Sequence, residues 1–161
     1  LAAQGSLWLH CRLPRWPLRI GLRDTMVLVP RSRVRGYVSV PLVPTVLWRS
    51  DGRADSVVAE LLPAALAAEW EDASGAVVQR SSSPFLQRLP LPDDQPRGLV
   101  PMTIRNDSDT VQSPESLPLS LRDDDLRVGR GHLVAPPRRL RIDEQGRVST
   151  QLRSRTGERR A

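Results

Sequence analysis

No lysine occurs in the 161 residues, so all 24 basic side chains are arginine. The absence excludes a Walker-type nucleotide loop, whose lysine reaches the phosphates. It leaves a GC-rich coding bias or a surface of guanidinium forks suited to phosphate and carboxylate. Cysteine is nearly absent as well. Cys11 alone excludes an intramolecular disulfide and fits a reducing compartment, so a cytoplasmic location is expected. With His10 and His132 it makes too small a set for a Cys/His zinc site. Aromatics are scarce, and four of the six are Trp8, Trp16, Trp48 and Trp70, which are expected to be buried anchors. No apolar run approaches the roughly 18 residues that would cross a bilayer as a helix, so no transmembrane segment is expected. The first residues lack a basic segment followed by an apolar one, the pattern of a secretory signal. They also lack an initiating Met, which leaves processing, an alternative start or a fragment of a longer chain.

Proline and glycine are plentiful, at 15 and 10 residues, and they interrupt the chain too often for long helices. Between these breaks the apolar residues alternate. Val100, Met102 and Ile104 interleave with Pro101, Thr103 and Arg105, and Asn106-Asp107-Ser108-Asp109 then ends the run with short polar side chains that bond back to the backbone. Leu117, Leu119 and Leu121 resume the period of two, so a hairpin is expected over Leu99 to Leu121. Leu18, Ile20 and Leu22 alternate in the same way, as do Leu140 and Ile142, and Met26 to Val29 reads as a further short strand. Tyr37 to Trp48 is strongly β in composition. Pro41 and Pro44 within it require an edge strand or two strands meeting at a bend. Ser50-Asp51-Gly52-Arg53 is a turn, with Trp48 and Val57 on either side of a hairpin. Val77-Val78 reads as a brief strand and Ser81-Ser82-Ser83-Pro84 as a loop. Pro63 followed by an alanine-rich run, with Leu62, Leu66 and Trp70 on one stripe, predicts a short helix over residues 63–71.

The expected fold is therefore all-β: a two-sheet β-sandwich, immunoglobulin-like in general architecture, with one short helix near residues 63–71. Residues 1–152 form a single domain and residues 153–161 a basic, frayed tail. The expected core draws on Leu18, Ile20, Val38, Val40, Val46, Trp48, Leu66, Trp70, Met102, Ile104, Leu119 and Leu140.

Charge is distributed unevenly. Residues 1–49 carry eight arginines against one acid, residues 50–137 eight against fourteen, and residues 138–161 eight against three. Basic ends thus flank an acidic middle, and pairing between strands can neutralise part of it. Arg31, Arg33 and Arg35 sit two apart and project from one side of an extended chain. With Arg19 and Arg23 they are the candidate anion-binding residues, and Arg12, Arg15, Trp8 and Trp16 could extend them with charge and stacking groups. Catalytic candidates are few. His10 and Cys11 are adjacent and point to opposite faces of a strand, and His132 lies in a Gly-Arg-Gly-His loop, so no catalytic residue is assigned. The acidic turns at Asp107, Asp109 and 123–125 lack the spacing of an EF-hand, and no metal or other cofactor is expected.

Arg35-Gly36-Tyr37-Val38-Ser39-Val40-Pro41-Leu42, Leu61-Leu62-Pro63 with the run to Trp70 and Ser74-Gly75, and Val100 to Ser108 with Leu117-Pro118-Leu119 resemble segments of the domain-of-unknown-function family 432 of small prokaryotic proteins. Leu126-Arg127-Val128 and Gly131-His132-Leu133 follow in the same order. The chain departs from the family pattern at Val77-Val78 and His132-Leu133, where that pattern carries a Cys-Tyr-like pair and an aromatic. The resemblance spans about residues 18–150 and implies a compact, mostly β protein. It brings no established activity and no site residues. The expected function is that of a non-enzymatic binding or accessory module that contacts a protein partner or a second copy of itself. The alternative is a nucleic-acid or other anionic-polymer binder acting through the arginine-rich first third. An enzyme would need groups from a partner subunit or a missing segment.

Overall fold

The computed structural model describes residues 4–14, 17–64, 66, 70–71, 73–75, 77–92, 94, 96–122 and 126–151. The described chain is all-β. Its strands are β1 (Gly5–Arg12), β2 (Leu18–Leu22), β3 (Arg33–Pro41), β4 (Val43–Ser50), β5 (Ser56–Glu60), β6 (Trp70–Glu71) and β7 (Val77–Ser83), then β8 (Arg97–Asn106), β9 (Ser116–Leu119), β10 (Arg127–Gly129), β11 (His132–Val134), β12 (Arg138–Ile142) and β13 (Val148–Thr150). They form three sheets, where two were expected.

The longest strand, β8, is the hub. It pairs antiparallel with β3 along one edge, and its other edge takes β11 and then β12, both parallel. The pairs β10–β11 and β12–β13 complete this six-stranded sheet. A four-stranded sheet runs β6-β7-β2-β9, and a three-stranded one β1-β4-β5. The core lies where the inward faces of the first two sheets meet. Val38, Val40, Val100, Met102, Ile104, Leu140 and Ile142 come from one, and Leu18, Ile20, Leu117 and Leu119 from the other. The period of two places these residues inside and leaves Arg105, Arg139 and Arg141, which alternate with them, exposed. Strands of the two sheets also meet at their margins, β3 beside β7 and β13 beside β9. Ser83 joins the first pair by accepting the Ser39 amide on its hydroxyl at 2.9 Å.

The bend expected inside Tyr37–Trp48 is real: β3 ends at Pro41 and β4 starts at Val43, so one run of sequence serves two sheets. Pro44 nevertheless lies in the central strand of its sheet, where its carbonyl accepts the Leu61 amide. Other expectations are corrected. The strands β8 and β9 are not a hairpin; the polar turn between them sends the chain from one sheet to another. Met26–Val29 makes only an isolated bridge, Leu28 to Gln112, and Ser81–Ser83 continues β7 in place of a loop. No described residue is helical. Pro63, Ala64 and Leu66 take a turn closed by the Leu66 amide on the Pro63 carbonyl, and Trp70–Glu71 pairs with β7. The remainder of the expected helix, Ala65 and 67–69, lies outside the described residues, as do Arg15, Trp16, the acidic turn 123–125, Leu152 and the tail 153–161.

The polar turn is a buried knot. Asn106, fully buried, points its Nδ2 at the carbonyls of Leu28, Val29 and Thr110 at 2.8–3.1 Å. Its Oδ1 accepts the amide and hydroxyl of Ser108 at 3.0 and 2.7 Å. One side chain thereby ties the end of β8 to two separate loops. Because Asn106 faces in, its neighbours Arg105 and Asp107 are directed outward.

Candidate functional site

Among the described residues, two surfaces and the cavity around His132 gather groups suited to recognition. The first surface is the three-stranded sheet. Antiparallel partners share a face, so Leu7, Trp48 and Ser56 line up with Leu9, Val46 and Ala59 on one side. That side carries no charge. Leu7 and Leu9 are 64% and 70% exposed, and the Trp48 ring lies across Gly5, where a side chain would collide with it. The opposite side holds Trp8, Leu47 and Val57. Trp8 is 51% exposed, donates to Ser6 and lies under the Arg49 guanidinium at 4.9 Å. Arg49 forks onto Asp55 at 2.7–2.8 Å, which holds the Asp55 carboxyl below its ordinary pKa. The expectation of buried tryptophans fails at Trp8, and the expected core residues Val46 and Trp48 are only half-buried, because this sheet runs beyond the core. The outer edge of β1 has no strand partner among the described residues.

The second surface is the outward face of the six-stranded sheet. Of the five arginines singled out, only Arg33 and Arg35 lie on it; Arg31 sits at its rim in a left-handed turn, φ 56°. Arg19 belongs to the four-stranded sheet, and Arg23 directly follows its strand β2. Arg19 is half-buried beside Arg80, Glu115 and Ser116 in a cavity of about 250 Å³, and Arg23 is within 3.4 Å of the Ser82 hydroxyl. The five therefore do not form one site. Strand register instead recruits arginines from far along the chain. Arg33 is opposite Arg105, which is opposite Arg141, and Arg35 is opposite Thr103, which is opposite Arg139. All five arginines of these two rows are exposed.

Among the described residues, the acids that engage this face lie at one end of it. Asp107, its side chain 12% exposed, binds both Arg105 and Arg141. Burial alone would raise its pKa, but the two guanidiniums outweigh that and hold the carboxyl below the usual range. Arg31 binds Asp109 at 2.8 Å and lies 3.8 Å from Glu144, and the Asp109 carboxyl is held low by that hydrogen bond. Arg33, Arg35 and Arg139 have no carboxylate partner among the described residues.

A second cavity, of about 180 Å³, brings together groups that the sequence kept apart: Cys11, Arg97 and His132. His132 is half-buried at the start of β11 rather than in a solvated loop, and its Nε2 meets the Pro90 carbonyl at 2.8 Å. A carbonyl only accepts, so Nε2 carries the proton there and Nδ1 is the free nitrogen in the neutral ring. Among the described residues, no three His, Cys, Asp or Glu side chains gather as metal ligands. No described helix is long and apolar enough to cross a membrane. In comparisons with known proteins, no family model matches the chain, and no curated protein or solved structure matches it.

Proposed function

We propose that this chain is a non-enzymatic binding module that associates with a second copy of itself through the apolar face of β1-β4-β5. The observation that carries the reading is the uncharged row of Leu7, Leu9, Val46, Trp48 and Ala59 on a sheet that extends past the core. Contiguous exposed apolar surface of this kind marks association sites. The absence of charge on this face points to a second copy as the occupant. A two-fold interface sets a patch against itself, so charges of one sign would face each other, whereas an uncharged face meets its own image without penalty. In this reading the six- and four-stranded sheets are the two layers of a β-sandwich, and the third sheet is its docking arm. A cytoplasmic location belongs to the same proposal, supported by the single free cysteine. The resemblance to domain-of-unknown-function family 432 remains part of it as well and adds no activity.

Sedimentation of the purified chain tests the proposal. Each copy contributes Leu9, so Leu9→Asp removes two buried leucines per dimer, each worth about 1.5–3 kcal/mol. The expected loss is about 3–6 kcal/mol, or a dimer weakened roughly 10²- to 10⁴-fold. Leu9 is exposed and outside the core, so thermal unfolding of the variant monomer should match that of the parent. A parent chain that stays monomeric at about 100 μM, a concentration that would populate even a weak dimer, overturns the proposal.

A further inference from the structure

The geometry points to a second, independent site: the outward face of β3, β8 and β12 binds the phosphodiester backbone of a single-stranded nucleic acid. Three observations carry this. The first is the grid itself. Neighbouring strands lie about 4.8 Å apart and alternate residues along a strand about 6.7 Å apart, so the rows Arg33–Arg105–Arg141 and Arg35–Thr103–Arg139 cover an area of roughly 10 by 7 Å. Guanidinium groups at this spacing present planar donor forks to successive phosphates.

The second is the asymmetry of the counter-charge. Asp107 engages Arg105 and Arg141 from one end of the grid, and Asp109 and Glu144 engage Arg31 at the rim. Arg33, Arg35 and Arg139 have no carboxylate partner among the described residues, which leaves them to an outside anion. The third is the neighbour of the grid. Tyr37 follows Arg35 by two residues on β3, and its neighbours Gly36 and Val38 are buried, so it faces the same side and remains half-exposed to stack on a base. A sheet face presents no helix or ribbon to enter a duplex groove, whereas a flexible single strand can lie along it.

The test is fluorescence anisotropy of a labelled fifteen-nucleotide oligo(dT) with the full chain, from 50 to 200 mM salt. For a single strand the logarithm of affinity falls against the logarithm of salt by about 0.7 per phosphate neutralised. Arg33→Ala/Arg35→Ala/Arg139→Ala removes three of these contacts and is expected to flatten the slope by about 2 units. Arg19→Ala/Arg80→Ala, on the other sheet, is expected to leave the slope unchanged. The site is overturned if the parent does not bind at 50 mM salt, if the triple variant keeps the parent slope, or if the two sets of variants weaken binding alike. Tighter binding of the matching duplex, or displacement by polyglutamate at equal charge, overturns the assignment to single-stranded nucleic acid. None of these arginines lies on β1-β4-β5, so a failed self-association test and a failed binding test are distinct results.

Discussion

Asn106→Asp exchanges an amide for a carboxylate of nearly the same shape, and the knot at the end of β8 makes its effect calculable. In the parent, Nδ2 donates toward three carbonyl oxygens, those of Leu28, Val29 and Thr110. A carboxylate cannot donate, so its second oxygen would stand about 3 Å from three acceptors at a site with no solvent exposure. The variant carboxyl must therefore stay protonated to remain folded. As an acid it can still donate to one carbonyl while its other oxygen keeps the Ser108 amide and hydroxyl. Its folded pKa is raised, so the cost is absent below the unfolded value of about 3.9 and grows by about 1.36 kcal/mol per pH unit above it. By pH 7 the ceiling is about 4 kcal/mol, a large part of the roughly 5–15 kcal/mol that holds a domain together.

The parent trends the other way. Asp107, Asp109 and Asp143 have folded pKa values below their ordinary ones. Their contribution is present above the unfolded aspartate range and is lost as pH falls through the folded values. Urea unfolding of both proteins at pH 7 and at pH 4.5 separates the cases. The midpoint of the variant should lie far below that of the parent at pH 7 and approach it at pH 4.5. Asn106→Ala serves as the uncharged control. Leu28 and Thr110 keep other donors, the Gln112 amide and the Ser108 hydroxyl, and Val29 keeps Ser32. The alanine variant therefore orphans mainly the Ser108 amide, at about 1–3 kcal/mol, with no pH dependence of its own. Equal midpoints for Asn106→Asp and parent at pH 7, or a gap that does not close in acid, would refute the reasoning.

Asp107→Asn releases Arg105 and Arg141 from their carboxylate, so oligo(dT) should bind more tightly at low salt while the variant loses stability at neutral pH. Anisotropy and urea titration on the same sample read both effects. Gly36→Ala should destabilise by about 1–3 kcal/mol, because its methyl would sit 2.5 Å from the Leu86 carbonyl and the Phe85 ring that flank β3; an unchanged melting temperature would show that this contact yields. Arg130→Asn should stabilise by up to about 1 kcal/mol. Arg130 and Gly131 have φ of 51° and 79° in a two-residue hairpin between β10 and β11, the conformation that Asn-Gly favours, and thermal unfolding measures the gain.

The local parity of these strands was legible in the residues. Ile20, Val38, Met102, Ile104 and Leu140 alternate with polar neighbours, and all are buried as that alternation requires. The backbone-directed polar turn at 106–109 was equally plain, since short side chains that compete for backbone hydrogen bonds end a strand wherever they cluster. The destination of each strand was not legible. Leu117–Leu119 reads the same whether it folds back on β8 or crosses to the other sheet beside β2, because alternation fixes a face and leaves the partner open. The stretch from Tyr37 to Trp48 shows the converse failure. Val46 and Trp48 have core composition, yet they lie beyond the bend at Leu42 on a sheet that leaves the core, and composition cannot report the direction of a bend.

Partner choice is also what assembles the arginine grid. Reading along the chain collects Arg19, Arg23, Arg31, Arg33 and Arg35 because they are close in sequence, and the fold divides them between two sheets. Reading across the ladder collects Arg33, Arg105 and Arg141, separated by 72 and 36 positions, because β3 and β12 both pair with β8 at the same end. Each of these arginines is individually unremarkable as the polar member of an alternating strand. They become a surface only because register brings three odd-numbered positions into one row, and a slip of one residue in β12 would turn Arg139 and Arg141 inward and Leu140 out. Burial of Leu140 and Ile142 against Ile104 therefore fixes the charge pattern on the opposite face: the core sets the register, and the register sets which guanidiniums stand together.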